Sequence, residues 1–314
     1  MKILFTADIH IKLGQKNVPV AWAKNRYETM MDQIWDIQEH CDMFIVGGDI
    51  FDKLPNMEEL EIYFDFVASC KIPTYIYSGN HEAVKKSTTF LTNLKQVSTK
   101  INPLVTIVDD FATIDGIDFI PYNKLKEYHP ADTQFNGEIL CTHVRGEIPP
   151  HVKPEVNLEI FDRWKIVLAG DLHSYDNCQR NILYPGSPVT TSFHRHRVDT
   201  GVIVLDTDTL THSWEKLELP QLIRKTIKAG ESMAATDYDH TIYEIEGDMS
   251  ELGSVEDSEL IDKKIVKRET DTALILGPEM TLAEEVSEYL TYVLQLPDDT
   301  VNKILEEFNN HATT

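Results

Sequence analysis

The sequence predicts an α/β fold with a parallel core, mixed sheets and helices outside. Three observations carry that expectation. In the first half of the chain, short apolar runs alternate with amphipathic helical stretches. Further along, one stretch has the pattern of a hairpin. Clusters of polar residues recur where the apolar runs stop. Strand, helix, strand in succession makes neighbouring strands parallel, because each helix carries the chain back to the edge it started from.

The elements follow in order. Ile3 to Phe5 is a short β-branched and aromatic run and reads as the first buried strand. The helical stretch 23–40, "AKNRYETMMDQIWDIQEH", sets Tyr27, Met30, Met31, Ile34, Trp35 and Ile37 largely on one stripe. Met43 to Val46 is the second strand, and residues 56–70 form a second helix through Leu60, Phe64 and Val67. Thr74 to Tyr77 is the third strand. Ile117 to Ile120, Glu138 to Cys141 and Ile166 to Leu168 read as further strands. Residues 200–219, "TGVIVLDTDTLTHSWEKLEL", look like a hairpin with Asp206 to Thr209 as its turn. After Pro220 the polar clusters at strand ends cease. "DHTIYEIEGDM" reads as a strand there, and 280–295 and 298–311 read as helices. The change places a domain boundary near residue 220, dividing the chain into 1–220 and 221–314. There is no internal repeat or low-complexity segment.

With 314 residues, 42% hydrophobic and 26% charged, the composition is that of an ordinary globular protein able to bury a large core. The opening "MKILFTADIH" meets charge too soon for a secretory leader, and no run approaches a membrane span. Cys41, Cys70, Cys141 and Cys178 are scattered without a Cys-x-x-Cys pair, which points to a reducing compartment, the cytoplasm. A formal net charge of −23 argues against a protein that grips nucleic acid by a broad basic surface. It does not exclude a site where bound cations meet a phosphate.

The chemistry lies at the strand ends. The first strand leads into Asp8 and His10, the second into "GGDIFD" with Asp49 and Asp52, and the third into "GNHE" with Asn80, His81 and Glu82. Later strands lead into "CTHV" with His143 and "AGDLH" with Asp171 and His173. Ligands of open α/β sheets bind outside the carboxyl ends of the strands, so five strand ends converge on one crevice. Carboxylates, imidazoles and one amide without thiolate suit Mn²⁺, Fe²⁺, Zn²⁺ or Mg²⁺. They are too many for one ion. Two ions about 3.5–4 Å apart, sharing a carboxylate, would use them all. Any one cluster alone reads as a turn or a satisfied core histidine. Five together do not arise from core packing, since an unpaired buried charge costs several kcal/mol.

The order Asp8-x-His10, Gly48-Asp49-x-x-Asp52, Gly79-Asn80-His81-Glu82, His143 and Gly170-x-x-His173 resembles the calcineurin-like metallophosphoesterases. "FTADIH", "GGDIFD", "YPGSPVTTSF" and "TGVIVLD" resemble its SbcD branch, the nuclease subunits of double-strand-break processing complexes. The short length resembles the phage recombination endonuclease subunits of that branch. The specific motifs span residues 1 to about 206.

The resemblance implies a four-layer α/β/β/α sandwich of two mixed sheets with a small α+β C-terminal cap domain. It implies a metal-dependent DNA phosphodiesterase, exo- and endonucleolytic, acting in recombination and double-strand-break repair. Two divalent ions are implied, manganese first with magnesium as the alternative. Asp8, His10, Asp49 and His173 would hold one ion, with Asp49 bridging. Asn80, His143 and Asp171 would hold the other. His81 would be the catalytic histidine beside the scissile phosphate, which two ions would attack through an activated water. The family's Gly-His-x-His is here Gly170-Asp171-Leu172-His173. An anion in that place favours the harder metals, or Asp171 serves only as a hydrogen-bond partner. Asp52 would orient His81 or another ligand, or cap its loop. Glu82 would brace the turn or accept from His81.

Implied partners are DNA, an SbcC-like ABC ATPase and a second copy of the chain. Lys12, Lys16, Lys24 and Arg26 on the rim, and Arg195 and Arg197 in "SFHRHR", are candidate phosphate contacts, or ordinary solvated residues. Val301, Ile304, Leu305 and Phe308, spaced i, i+3, i+4, i+7, offer a docking stripe for the ATPase or pack on their own domain. Two rival functions remain. One is another phosphoesterase of the same fold. Lys53-Leu54 after Asp52 disfavours a protein phosphatase, which has Asp-Arg-Gly there. The other is a metal-degenerate scaffold, which the intact remaining ligands oppose.

Overall fold

The structure, a computed structural model, describes residues 1–85, 88–131, 134–234, 238–246, 261–265, 281–294 and 296–311. In chain order it begins with β1 (Lys2–Thr6), α1 (Val20–Gln38), β2 (Met43–Gly47), α2 (Met57–Ser69) and β3 (Thr74–Tyr77). A small hairpin follows, β4 (Ala83–Lys85) and β5 (Thr88–Thr89), then α3 (Leu91–Ile101), β6 (Val105–Val108), β7 (Ala112–Ile114) and β8 (Ile117–Ile120). Next come α4 (Tyr122–Leu125), β9 (Ile139–His143), β10 (Ile166–Gly170), β11 (Ile182–Leu183), β12 (Thr200–Asp206) and β13 (Thr211–Leu217).

Two mixed sheets form. The first has the order β13-β12-β1-β2-β3-β6 and the second β11-β10-β9-β8-β7. In the first, β1, β2, β3 and β6 are parallel while β12 runs against β1 and β13 against β12. In the second, β8 to β11 are parallel and β7 runs against β8. Side-chain alternation decides which core each residue joins. Ile3, Phe5, Ile45, Tyr77, Phe119, Cys141, Leu168, Ile203 and Leu205 form one buried layer shared by strands of both sheets. The Tyr77 hydroxyl crosses it to donate to the Thr142 carbonyl at 2.8 Å. Leu4, Phe44, Val46 and Ile76 face the other way, against Tyr27, Met30, Ile34, Tyr63, Phe66 and Val67 of α1 and α2. The outer face of the second sheet is covered differently, by Leu125 of α4, Phe161 of a short 3₁₀ turn, and Tyr128, Phe135 and Trp164 of loops.

The helices start and stop for local reasons. Asn56 accepts from the Glu59 amide, and Glu59 returns the bond to the Asn56 amide, a capping box that fixes the start of α2. α1 begins directly after Pro19, whose missing N–H costs nothing at a helix start. The β12–β13 turn is set by Asp206, whose Oδ1 accepts from the amides of Asp208 at 2.9 Å and Thr209 at 3.3 Å.

Beyond residue 220 lie β14 (Leu222–Lys228), β15 (His240–Glu246) and β16 (Ile261–Ile265), in that order in a third sheet. Residues 1–226, 232–234, 238–244 and 261–262 belong to one compact unit. Residues 227–231, 245–246, 263–265, 281–294 and 296–311 belong to a second. In the first, Leu222 is buried and the backbone of Ile223 bridges to His194. In the second, α5 (Leu282–Glu288) opens on a Thr281/Glu284 capping box, widens to π-helical turns over Tyr289–Val293, and is followed by α6 (Asp298–His311). Met280 and Gln295, expected in that first helix, lie outside the described residues, as do positions 247–249 of the expected strand. The four cysteines are free. Among the described residues no helix is long and apolar enough to cross a membrane.

Candidate metal centre

The site is built by zipping strand-end loops together. Just past β1, the Asp8 amide donates to the Gly48 carbonyl at 3.0 Å and the His10 amide to the Asp49 carbonyl at 2.9 Å. Asp8 (φ 58°), His10 (φ 48°), Asp49 (φ 49°) and Asp171 (φ 102°) all take positive φ. That region is uncommon for residues other than glycine, and such strain gathers at functional sites. Here it turns four polar side chains into one crevice.

Two glycines permit the close approach. A Cβ on Gly48 (φ +86°) would stand 2.5 Å from the Gly79 amide nitrogen and 2.7 Å from His143 Nδ1. One on Gly79 would stand 2.1 Å from Asp49 Oδ1. Glu82 is the brace. Fully buried, it accepts from the amides of Asp49 at 3.0 Å, Phe51 at 3.0 Å and Gly79 at 2.8 Å, so one carboxylate ties the loops after β2 and β3.

Asp49 Oδ2 lies at the centre. It is 3.6 Å from His10 Nε2, 3.5 Å from His143 Nε2 and 3.9 Å from His81 Nε2. His10 Nε2 and His173 Nε2 face each other at 3.1 Å. Three overlapping sets of candidate ligand atoms result, each within 4.8 Å of one another: Asp8–His10–His173, His10–Asp49–His81 and Asp8–Asp49–His143. Asn80 Oδ1 sits 2.9 Å from His143 Nε2. The His143 ring is oriented from behind, since its Nδ1 donates to the Gly47 carbonyl at 2.8 Å and leaves Nε2 for the crevice. His81 is held likewise: its Nδ1 donates to the Asp52 carbonyl at 2.6 Å, and its backbone amide donates to Asp49 Oδ1 at 2.9 Å. Its Nε2 edge is free and the ring is solvent-accessible.

Electrostatics shows what the cluster lacks. Burial pushes the Asp8 carboxyl well above its ordinary value; His143 pulls it down and Asp49 adds to the rise. Burial alone would lower His143, but Asp49, Asp8 and Asp171 outweigh it and hold that imidazole up at about 9. Burial, then His173 and His81, bring His10 down to about 2. Burial also lowers His173. Buried Asp8 thus favours positive charge beside it, while burial disfavours a proton on His10 and His173, whose Nε2 atoms face each other in the crevice. The Asn80 oxygen stands 2.9 Å from Asp49 Oδ2, acceptor against acceptor. Turning the amide over would make hydrogen bonds there. A cation would reconcile the contact as it stands. Acceptor on acceptor, and imidazole nitrogen facing imidazole nitrogen, is a donor set that fits divalent ions.

Asp171 is brought to the same crevice with a partner that sequence reasoning missed. Its amide donates to Asp8 Oδ1 at 3.0 Å and its Oδ1 lies 3.9 Å from His143 Nε2. Both of its oxygens are taken by Arg145, from Nε at 3.0 Å and Nη2 at 3.1 Å. A signal for Arg145 existed: two residues past His143 at the end of a strand, it falls on the same face.

The expected phosphate contacts separate. Arg26 must be corrected. It is 2% exposed, donates to the Thr190 carbonyl at 2.8 Å and lies over the Trp22 and Tyr27 rings, so it serves the core and does not face the rim. Lys12 pairs with Asp52 at 2.8 Å, and Lys24 lies 3.8 Å from Glu58 and Glu61. Arg197 pairs with Asp239 and donates to the Leu219 carbonyl at 3.1 Å. Arg195 and Lys16 are exposed, with no ion pair among the described residues.

The chain has recognisable relatives. The family model of the calcineurin-like phosphoesterases matches residues 1–200. A protein of Escherichia phage T5, named probable exonuclease subunit 1, is 42% identical over 318 residues, covering 97% of each chain. A putative phosphoesterase of Invertebrate iridescent virus 6 is 23% identical over 243 residues, covering 72% of this chain and 82% of its own. Among solved structures, a Thermus thermophilus protein matches 69% of this chain and 99% of its own at 12% identity and a TM-score of 0.44. An archaeal phosphodiesterase matches 69% and 100% at 15% identity and 0.39.

Proposed function

The chain belongs to the calcineurin-like phosphoesterases, hydrolases of phosphodiester bonds, and from that premise we propose that it is the DNA-cutting subunit of a recombination and double-strand-break processing nuclease. The observation that carries the reading is the gathering of Asp8, His10, Asn80, His143 and His173 around Asp49 in one crevice. The kinship over nearly the whole length with a phage exonuclease subunit favours DNA as substrate and a further subunit as partner. That partner would be an SbcC-like ABC ATPase, the chain pairing with a second copy of itself in the host cytoplasm.

In this reading Asp8, His10, Asp49 and His173 would hold one divalent ion, and Asn80, His143 and Asp171 would hold the other, with Asp49 available to both. When bound, Mn²⁺ or Mg²⁺ would supply an activated water and positive charge for the phosphoryl oxygens. The residues do the rest. His143 keeps Nδ1 on the Gly47 carbonyl and turns Nε2 to the crevice, and His10 sets Nε2 beside Asp49 and His173. His81 keeps its Nδ1–H on the Asp52 carbonyl, so as the imidazolium it presents Nε2–H, which stabilises the phosphorane-like charge and passes its proton to the leaving sugar oxygen, leaving the neutral ring. Arg145, anchored on Asp171, stands where it can take a phosphate oxygen in a forked contact.

A second reading, a hydrolase of small phosphodiesters, draws on the acidic surface, with net charge −23. The experiment is metal analysis coupled to hydrolysis of single- and double-stranded DNA and of a p-nitrophenyl phosphodiester, with manganese added or chelated. Manganese-dependent cutting of DNA is expected. Hydrolysis of the ester with DNA left intact would replace the first reading by the second.

A further inference from the structure

A cavity of about 610 Å³ opens beside His173, within the size range of about 300–1,000 Å³ usual for ligand sites. Its wall contains Tyr175, Asn177, Ser192 and Trp214. The two rings are stacked, centroids 5.4 Å apart with planes 29° from parallel. Both are pinned: the Trp214 indole N–H donates to the Pro185 carbonyl at 2.9 Å, and the Tyr175 hydroxyl bonds His212 Nε2 at 3.1 Å. The Asn177 side-chain amide makes no hydrogen bond among the described residues, so it offers one donor edge and one acceptor edge.

The charge of the lining narrows the ligand. No lysine or arginine lines the cavity, and its carboxylates are Asp176 and Asp199. A phosphate would be repelled there. A flat uncharged ring with donors and acceptors on its edge would stack on the aromatic pair and meet the amide. The cavity shares His173 with the candidate metal centre, so the two adjoin.

We propose that this cavity is a nucleobase subsite, holding an unstacked base next to the bond that is cut. The proposal rests on the nuclease reading. It makes the preferred substrate a frayed or single-stranded end, because a base reaches the cavity only after leaving its duplex stack. The rigid ring pair makes the contact inexpensive in entropy.

The test compares thymidine 5′-monophosphate with deoxyribose 5′-phosphate by equilibrium dialysis against the full-length, manganese-loaded chain. The nucleotide should bind about tenfold more tightly, the size of a single base stacking on an aromatic side chain. Tyr175→Ala should erase that margin and Tyr175→Phe should keep it, which separates loss of the platform from loss of fold. The ratio of kcat/KM for a single-stranded oligonucleotide over that for a base-free phosphodiester should fall about tenfold in Tyr175→Ala. Equal binding of the two ligands by the unmodified chain, or an unchanged margin in Tyr175→Ala, overturns the subsite. Failure of the nuclease reading is a separate result: a base margin that Tyr175→Ala erases, with no DNA cut at all, would keep the cavity and remove the DNA.

Discussion

His81 differs from its neighbours in what its ring is free to do. Its backbone amide holds Asp49 and its Nδ1 is spent on the Asp52 carbonyl, so the side chain contributes Nε2 alone. His81→Ser should therefore keep both ions, counted by elemental analysis, while hydrolysis falls about 10²–10⁴-fold. Near-normal rates in His81→Ser, with Asn80→Ala abolishing them, would reverse the roles of the two residues. Asp171 poses the sharper question. Its negative charge was legible as a departure from Gly-His-x-His, but its bidentate guanidinium partner was not, because Arg145 reaches it across 26 positions of sequence. Arg145 sets a positive charge beside the place proposed for the second ion. Arg145→Gln should raise affinity for that ion by about tenfold, the lower end for changes just outside a ligand set. Calorimetric titration with manganese measures it, and weaker binding would show that Arg145 props Asp171 more than it competes for it.

At the scale of elements, the strands were readable as short apolar runs, and β1, β2, β3, β9 and β10 each run into a polar cluster, while β8 runs into Pro121. The turns after them were readable as glycine next to a ligand. What could not be read is that the loops interlock. Glu82 looked like a local brace, yet it serves amides from two loops, at Asp49, Phe51 and Gly79. Glu82→Ala would leave three buried N–H groups without acceptors, at about 1–3 kcal/mol each before relaxation. A loss of about 3 kcal/mol or more in denaturant unfolding is expected, with manganese uptake failing alongside it. A loss under 1 kcal/mol would mean that the loops are held by strand packing alone. Arg26 is the counterexample to reading charge as surface. Its place on the buried stripe of α1, four positions after Trp22, was visible in the helical period, but the Thr190 carbonyl that satisfies it comes from packing that the period does not report.

At the scale of the whole molecule, the resemblance read from the motifs gave two mixed sheets with helices outside, and the fold has them, though the second sheet is covered by aromatic loops more than by helices. The last helix kept its stripe but not its freedom: Val301 is 4% exposed, and Leu305 and Phe308 are partly covered, while Ile304 stays open. A partner has less of that face to hold than the spacing offered. The net charge of −23 then sets the terms for DNA. Lys12, Lys24 and Arg197 already face carboxylates, which leaves Arg195 and Lys16 beside Arg145 at the site. Each phosphate neutralised by a protein cation adds about 0.7 to 0.9 to the slope of log affinity against log salt. With two or three such contacts, the isolated chain should show a slope of about −1 to −3 when binding to an oligonucleotide is followed by anisotropy with the metal present. Binding should be weak, because little else on an acidic surface attracts the strand. A slope near −10, like that of a protein with a broad basic face, would mean that cations paired here with carboxylates exchange them for phosphates. The chain would then grip DNA without an ATPase to hold it.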